Sequence, residues 1–254
     1  MKCESFGITD KGIVRDHNED AFLSNEQDGL FLVADGMGGL SKGDVASKIA
    51  VETIEHFVKE SRLEDITWPI KPLQEYSLEE NRLLAAISLA NWNIYNEALK
   101  DPVNRGMGTT LTGFLLDGDQ LVIANVGDSR IYRINDNRIQ QITDDHSLVM
   151  EEVRKGNMTP EEARIHPHKH VINRALGITD STQADISTRK LEAEELYLVC
   201  SDGLSDMIPD QQILSIIQKN AGKSLQELGE ALIETAKMNG GRDNITAVLV
   251  SFHG

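Results

Sequence analysis

Phe31-Leu-Val-Ala-Asp35-Gly-Met-Gly-Gly39 is the stretch around which the rest of the chain is organised: an apolar run that stops on a carboxylate followed by three glycines in four residues. Such a run suits a buried strand, and the glycines let backbone turn sharply and approach a ligand closely where a Cβ would clash. Asp35 then sits as a fixed charge at the rim of a rigid sheet. A carboxylate in that position needs a cation or hydrogen-bond donors, because an unpaired buried charge is too costly to keep. Upstream, Ala21 to Leu23 is a second strand, and Gln27-Asp-Gly29 turns it back, so the pattern predicts an antiparallel hairpin ending on Asp35. The polar run Val14-Arg-Asp-His-Asn-Glu-Asp20 leads into that hairpin.

Downstream, Ser41 and Asp44 have cap-like spacing for a helix running to about Ser61, with Ala46, Ile49, Ala50, Thr53 and Phe57 on one face. Ser77 and Glu80 form a capping-box pattern for a second helix with a stripe of Leu83, Ala86, Ile87, Ala90, Ile94 and Ala98, ended by Asp101-Pro102. A strand region follows, at 109–116, 121–126, 131–134 and 138–142, with turns at Asp117-Gly-Asp119, Gly127-Asp-Ser-Arg130 and Asn135-Asp-Asn137. Turns this short join antiparallel neighbours. Residues 146–180 are more polar, with short helices near Ser147–Lys155 and Pro160–Ile165, and read as an excursion from the sheet. A strand at 196–200 runs into Ser201-Asp202-Gly203, repeating the design at Asp35, and helices at 210–219 and 225–238 precede a last strand at 245–252. With no repeat or linker, the expectation is one α+β domain over 1–254.

Lys+Arg 25 against Asp+Glu 41 gives a net charge of −16, which argues against nucleic acid and anionic membrane as partners, since both reward a basic face. Hydrophobic content of 40% is enough for a core. Cys3 and Cys200 lack C-x-x-C spacing, so neither a disulfide framework nor a zinc ribbon is expected, and a reducing cytosol fits. No apolar run approaches about 18 residues and Met1-Lys-Cys-Glu-Ser-Phe lacks a signal-peptide layout, so a cytoplasmic protein is expected.

Asp20, Asp35, Asp128, Asp202 and Asp243 each stand beside a turn bordering a strand. Aspartate and glycine are common in turns, but apolar strands ending in Asp-Gly twice suggest a shared purpose. If the strand ends converge, an all-oxygen site selects Mg²⁺ or Mn²⁺ over zinc or copper. Two such ions can hold a hydroxide between them and polarise a phosphoryl oxygen. Arg15 can bind phosphate in two-point fashion or pair with Asp16 or Glu19 on the surface.

Arg15-x-x-Asn18-Glu19-Asp20, Val33-Ala-Asp35-Gly-Met-Gly-Gly39, Gly108-Thr-Thr110, Val126-Gly-Asp128-Ser-Arg130, Cys200-Ser-Asp202-Gly-Leu-x-Asp206 and Asp243-Asn244 occur in the order found in the metal-dependent protein phosphatase 2C (PPM) family, and the chain most resembles its compact bacterial members. The resemblance implies a central antiparallel β-sandwich flanked by helices on both sides, in four α-β-β-α layers, with a flap subdomain at about 146–180. It implies dephosphorylation of phosphoserine and phosphothreonine in proteins, opposite a Ser/Thr kinase, by a monomeric signalling enzyme. Asp35 then corresponds to the bridging ligand of two core metals, with the Gly36 carbonyl on one. Asp20 corresponds to a ligand of the first metal, partly through water, and Asp202 and Asp243 complete the pair. Asp128 and Asp206 match positions holding a third, looser ion, and Arg15 is similar to the phosphate-binding arginine. A partner-binding regulator with the same fold and a small-phosphoester hydrolase are the alternatives.

The chain departs from that pattern at Met37 and Leu40, where relatives place a histidine. The expected proton source for the leaving alkoxide is then water on the third metal, held by Asp128, Asp202 and Asp206. His166-Pro-His168-Lys-His170 is expected to serve structure or substrate contact rather than metal, because one flexible loop gives poor ligand geometry. His17 reads as a packing or hydrogen-bonding residue, and Trp92 and Tyr95 as core or helix packing rather than a cofactor face.

Overall fold

The computed structural model describes residues 2–38, 42–63, 66–135, 138–192 and 195–253. Its strands are β1 (Lys2–Asp10), β2 (Asp20–Asn25), β3 (Leu30–Met37), β4 (Gly108–Thr109), β5 (Leu111–Asp117), β6 (Gln120–Val126), β7 (Arg130–Asn135), β8 (Arg138–Gln141), β9 (Asp185–Lys190), β10 (Leu196–Cys200) and β11 (Ile245–His253). Its helices are α1 (Gly43–Leu63), α2 (Leu78–Lys100), α3 (Leu148–Arg154), α4 (Pro160–Ile165), α5 (Asp202–Ser205), α6 (Asp210–Lys219) and α7 (Leu225–Met238). Every strand pair is antiparallel: β1-β11-β10-β7-β8 form one sheet and β2-β3-β5-β6-β9 the other, with β4 adding to β3.

The two sheets stack face to face, and their apolar sequences show why. On β3, Phe31 and Val33 point between the sheets, while Leu30, Leu32 and Ala34 point at α1 and α2. On β10, Tyr197 and Val199 face inward, and Leu198 and Cys200 face α5, α6 and α7. Successive strand side chains alternate faces, so a strand covered on both sides must be apolar at every position. That is the continuous run at 30–34, and it places β3 in a middle layer of four. The inter-sheet core is aromatic at its centre, with Phe114 against Phe31, Tyr197 against Phe114, and Phe252 against Tyr197 at centroid distances of 5.2 to 5.8 Å.

Capping fixes where α2 begins. Ser77 Oγ accepts from the Glu80 backbone N–H at 3.2 Å, and Glu80 returns a carboxylate oxygen to the Ser77 N–H at 2.7 Å. All six residues of its expected stripe are buried. In α1, Ala46, Ala50 and Phe57 are buried together with Ile54 and Val58, while Thr53 lies at the edge of the packed face. Ser41, the expected cap, and Leu40 lie outside the described residues, as do Asp136 and Asn137 of the β7–β8 turn.

Some expectations fail. Trp92 is 53% exposed rather than packed. The His17 side chain is exposed, and the residue contributes its backbone carbonyl instead, which accepts from Asn244. β9 and α5 have no counterpart among the elements expected from sequence, while β1 contains the short apolar segment Phe6 to Thr9 that marks a further strand. β9 is a polar edge strand, Asp185-Ile-Ser-Thr-Arg-Lys190, whose solvent side has no need of apolar residues.

Candidate metal centre

The β2–β3 register sets Asp20 directly opposite Asp35. In the other sheet, β10 pairs with β11 through Cys200 and Ala247, so Asp202 and Asp243 leave adjacent strands at the same end of the sandwich. The turn holding Asp128 joins β6 to β7, one strand from each sheet. Carboxylates from both sheets therefore meet where the strands run out. They line a cleft of about 490 Å³ with Arg15, Asp35, Asp128, Asp202, Asp206 and Asp243 on its walls, and Gly36 and Met37 beside Asp35.

Backbone contacts hold each group in place. The Asp35 N–H donates to Thr110 Oγ1 at 3.0 Å, and the Asp35 carbonyl accepts from both the Thr110 N–H and Thr109 Oγ1 at 2.9 Å. Thr110 Oγ1 also bonds Ser129 Oγ at 2.8 Å, which ties Asp35 to the Asp128 turn. In that turn Gly127 adopts φ +113°, and a Cβ there would press on Thr110 at 2.6 Å. Gly36 is wedged more tightly, since a Cβ would lie 2.2 Å from the Gly43 carbonyl oxygen and 2.4 Å from that of Glu19.

Asp20 links the two sheets. Its Oδ2 accepts from Thr246 Oγ1 at 2.6 Å, on β11 of the opposite sheet, and from Ser201 Oγ at 2.8 Å, just past the end of β10. Its Oδ1 is buried without a hydrogen-bond partner, and so is Asp202 Oδ1. Buried oxygens of this kind are normally satisfied, so a pair of them in an acidic cleft marks where a cation or its water belongs.

The electrostatics point the same way. Burial pushes the Asp20 carboxyl up to about 7, against the pull of the Thr246 and Ser201 bonds and with help from Asp202 and Asp243. Asp35 lies well above the usual carboxylate range, first through burial and then through Asp20, Asp202, Asp128 and Asp243. Asp128 is raised likewise, by burial, Asp202 and Asp145. Like charges crowded in a poorly solvated space hold protons unless a cation replaces them. The donors of Asp20, Asp35, Asp128, Asp202 and Asp243 are all oxygens, which fits a hard divalent ion such as Mg²⁺ or Mn²⁺.

Arg15 pairs with neither Asp16 nor Glu19. Its Nη2 donates to Asp243 Oδ2 at 2.7 Å, with half of the side chain exposed at the cleft. The loop that carries it is held by Asn244, a residue with no assigned role in the sequence reading. Asn244 Oδ1 accepts from the Glu19 N–H at 2.8 Å, and its Nδ2 donates to the His17 and Lys11 carbonyls at 2.8 and 3.0 Å. Ser201, Thr246 and Thr110 are further supports that no local pattern marks as such, although Ser201 adjoins Asp202 in sequence and Thr110 follows Gly108-Thr.

Asp206 stands apart from the inner carboxylates. Its Oδ2 meets Lys169 Nζ at 2.7 Å and His170 Nδ1 at 3.5 Å, both from the 146–180 segment. That segment is rooted on buried His146, whose Nδ1 accepts from the Gly127 N–H at 3.1 Å and whose Nε2 faces Asp185 Oδ2 at 3.0 Å. Burial lowers the His146 pKa, in keeping with a neutral ring. Of the three loop histidines, His170 reaches the acidic cleft, while His166 and His168 lean on each other at 5.5 Å.

A cleft dominated by aspartates at one end of a helix-flanked, two-sheet sandwich defines a class: proteins equipped to gather hard cations for hydrolytic chemistry. Comparison with known proteins narrows it. The chain belongs to the protein phosphatase 2C family, whose sequence profile matches residues 13–249. It is 38% identical over 250 residues to the serine/threonine phosphatase stp of Listeria welshimeri serovar 6b, covering 95% of this chain and 93% of that protein. Its fold matches the Mycobacterium tuberculosis serine/threonine phosphatase PstP/Ppp with a TM-score of 0.86 and 34% identity, over 99% of each chain. It matches the catalytic domain of serine threonine protein phosphatase PstP, solved in complex with two manganese ions, with a TM-score of 0.83 and 33% identity over 99% of each chain.

Proposed function

We infer that this protein hydrolyses phosphoserine and phosphothreonine in proteins with the aid of Mn²⁺ or Mg²⁺. The observation that carries the reading is the cluster around Asp35: carboxylates from both sheets crowd one poorly solvated cleft with two buried oxygens unpartnered, in a chain of the protein phosphatase 2C family.

In this reading Asp35 would be shared by two core ions, and Asp202, Asp243 and the Gly36 carbonyl would supply further oxygen ligands. Asp20 has Oδ2 held by Ser201 and Thr246, which leaves Oδ1 to face the first ion or its water. When bound, such a pair of ions polarises a phosphoryl oxygen and lowers the pKa of water toward neutrality. The chain's own residues do the rest. Arg15, oriented by Asp243 and backed by the loop that Asn244 holds, turns its free N–H groups to the substrate phosphate for two-point contact. Met37 has no proton to give the leaving alkoxide. We assign that proton to water held at the outer trio Asp128, Asp202 and Asp206, beside the flap.

The substrates are then phosphorylated proteins and the opposing enzyme a Ser/Thr kinase. We read the chain as one domain over 1–254, monomeric and cytoplasmic. No helix among the described residues is long and apolar enough to cross a membrane, and the net charge of −16 argues against nucleic acid and anionic lipid as partners. Turnover of a phosphothreonine peptide and of a small aryl phosphate, each with Mn²⁺ or with chelator, tests this. Metal-dependent turnover of the peptide supports it. No turnover with Mn²⁺ points to a partner-binding regulator, and a preference for the aryl ester points to a small-phosphoester hydrolase.

A further inference from the structure

The flap presents two different groups to one carboxylate. Lys169 Nζ lies 2.7 Å from Asp206 Oδ2. His170 Nδ1 lies 3.5 Å from the same oxygen and 3.8 Å from Asp202 Oδ2. One donor atom each from His170, Asp202 and Asp206 falls within 4.8 Å of the others. An ammonium can only pair with a carboxylate, whereas an imidazole nitrogen can share a cation with it.

Two further observations mark the space between these groups as short of a partner. Ser205 is 6% exposed, and its Oγ has no hydrogen-bond partner. It lines a cavity of about 220 Å³ together with Lys169, His170, Asp202 and Asp206. Asp202 Oδ1 is the second orphan. A neutral hydroxyl and a carboxylate oxygen left unbonded on one polar cavity are what a hydrated cation satisfies.

We propose that His170 is a ligand, with Asp202 and Asp206, of an outer cation site, and that the ion displaces the Lys169 ammonium from Asp206 when it binds. The proposal rests on the reading of Asp202 and Asp206 as cation-facing groups. Adjacent ligand atoms at bond lengths of about 2.1 Å lie about 3 Å apart in an octahedral site, so the 3.5 and 3.8 Å separations need to close by under about 1 Å. Lys169 is partly exposed on a flexible stem and can turn to water, and Asp206 then exchanges one positive partner for another. Because one donor is imidazole, the outer site differs from the all-oxygen core in its metal preference. It favours Co²⁺ and Zn²⁺, takes Mn²⁺ readily, and discriminates against Mg²⁺.

Pulsed EPR of the whole protein titrated with Mn²⁺, beside calorimetric titrations with Mn²⁺ and Mg²⁺, tests this. Wild type should show nitrogen modulation as the outer site fills. His170→Ala should lose that modulation and weaken the outer Mn²⁺ by about tenfold or more, while core Mn²⁺ stoichiometry and Mg²⁺ affinity stay as they were. Lys169→Met should tighten the outer site several-fold. Modulation that persists in His170→Ala, or core Mn²⁺ bound without any nitrogen signal in wild type, overturns the proposal alone. Absence of Mn²⁺ binding at every site overturns the phosphatase reading and this proposal together.

Discussion

Stripped of divalent cations, the protein should lose stability as pH rises from 5 to 8, the reverse of the usual behaviour of a salt-bridged carboxylate. Asp20 keeps its proton to about 7 in the fold against 3.8 for an ordinary aspartate, because burial disfavours the charged form. Between those values the native state binds more protons than the unfolded chain, so stability falls with rising pH through that window. The span is about three pH units, and at about 1.4 kcal/mol each it amounts to about 4 kcal/mol in all, of which about 3 kcal/mol falls between pH 5 and 8. Asp35 and Asp128 are raised as well and add in the same direction. A typical domain has about 5–15 kcal/mol in all, so the metal-free protein should be fragile at neutral pH. Glu80 and Asp185, whose pKa values are lowered, stabilise above the ordinary carboxylate range and lose that effect only below it, outside the window. Buried His146 opposes the trend below about 6.5, and His170, raised by nearby Asp202 and Asp206, adds to it above, so the comparison is with Asp20→Asn, which removes the Asp20 titration together with the charge that helps raise Asp35. Urea unfolding at pH 5, 6, 7 and 8, in chelator and in Mn²⁺, reads the effect. Wild type in chelator should weaken by several kcal/mol across the series, Asp20→Asn should weaken less, and Mn²⁺ should abolish the decline. Stability that is flat or rises between pH 5 and 8 in chelator refutes the reasoning.

Other expectations follow from single contacts. Gly36→Ala forces a Cβ into two backbone carbonyls and should cost about 3 kcal/mol or more, read by thermal melting in chelator so that metal binding does not mask it. Asn244→Ala leaves the Glu19 N–H and the His17 and Lys11 carbonyls without their partner, so it should cost about 3 kcal/mol and raise KM for phosphopeptide as Arg15 loosens. Asp206→Ala should slow a phosphothreonine peptide by about 10²-fold or more while sparing an activated aryl phosphate, whose leaving group needs no proton. Equal losses on both substrates contradict that role.

Much of the architecture is legible in the sequence because local rules and burial agree. β3 is apolar at consecutive positions since it is covered on both faces, and α2 and α7 announce their starts with reciprocal Ser–Glu caps. β9 is not legible, because an edge strand with one wet face carries charge where a core strand carries valine. α5 is four residues long, too short for any periodicity to register. At the site, the Asp-Gly endings draw attention to the carboxylates. What holds them is long-range and leaves no local trace: Thr246 lies 226 positions from Asp20, and Asp243 lies 228 from Arg15. His146 escapes for the same reason, since its meaning comes from what the flap packs against. Trp92 shows the opposite error, an aromatic residue on a helix taken for packing that in fact faces solvent.

The most direct test of the account is phosphate release from a phosphothreonine peptide at saturating Mn²⁺, wild type against Asp35→Asn, with folding of both checked by circular dichroism. Asp35 is the carboxylate on which Asp20, Asp128, Asp202 and Asp243 all bear. Its neutralisation should therefore cut turnover by about 10³-fold, the scale of losing a central electrostatic group, and lower the number of Mn²⁺ ions bound. A folded Asp35→Asn protein that binds Mn²⁺ and turns over the peptide like wild type contradicts it.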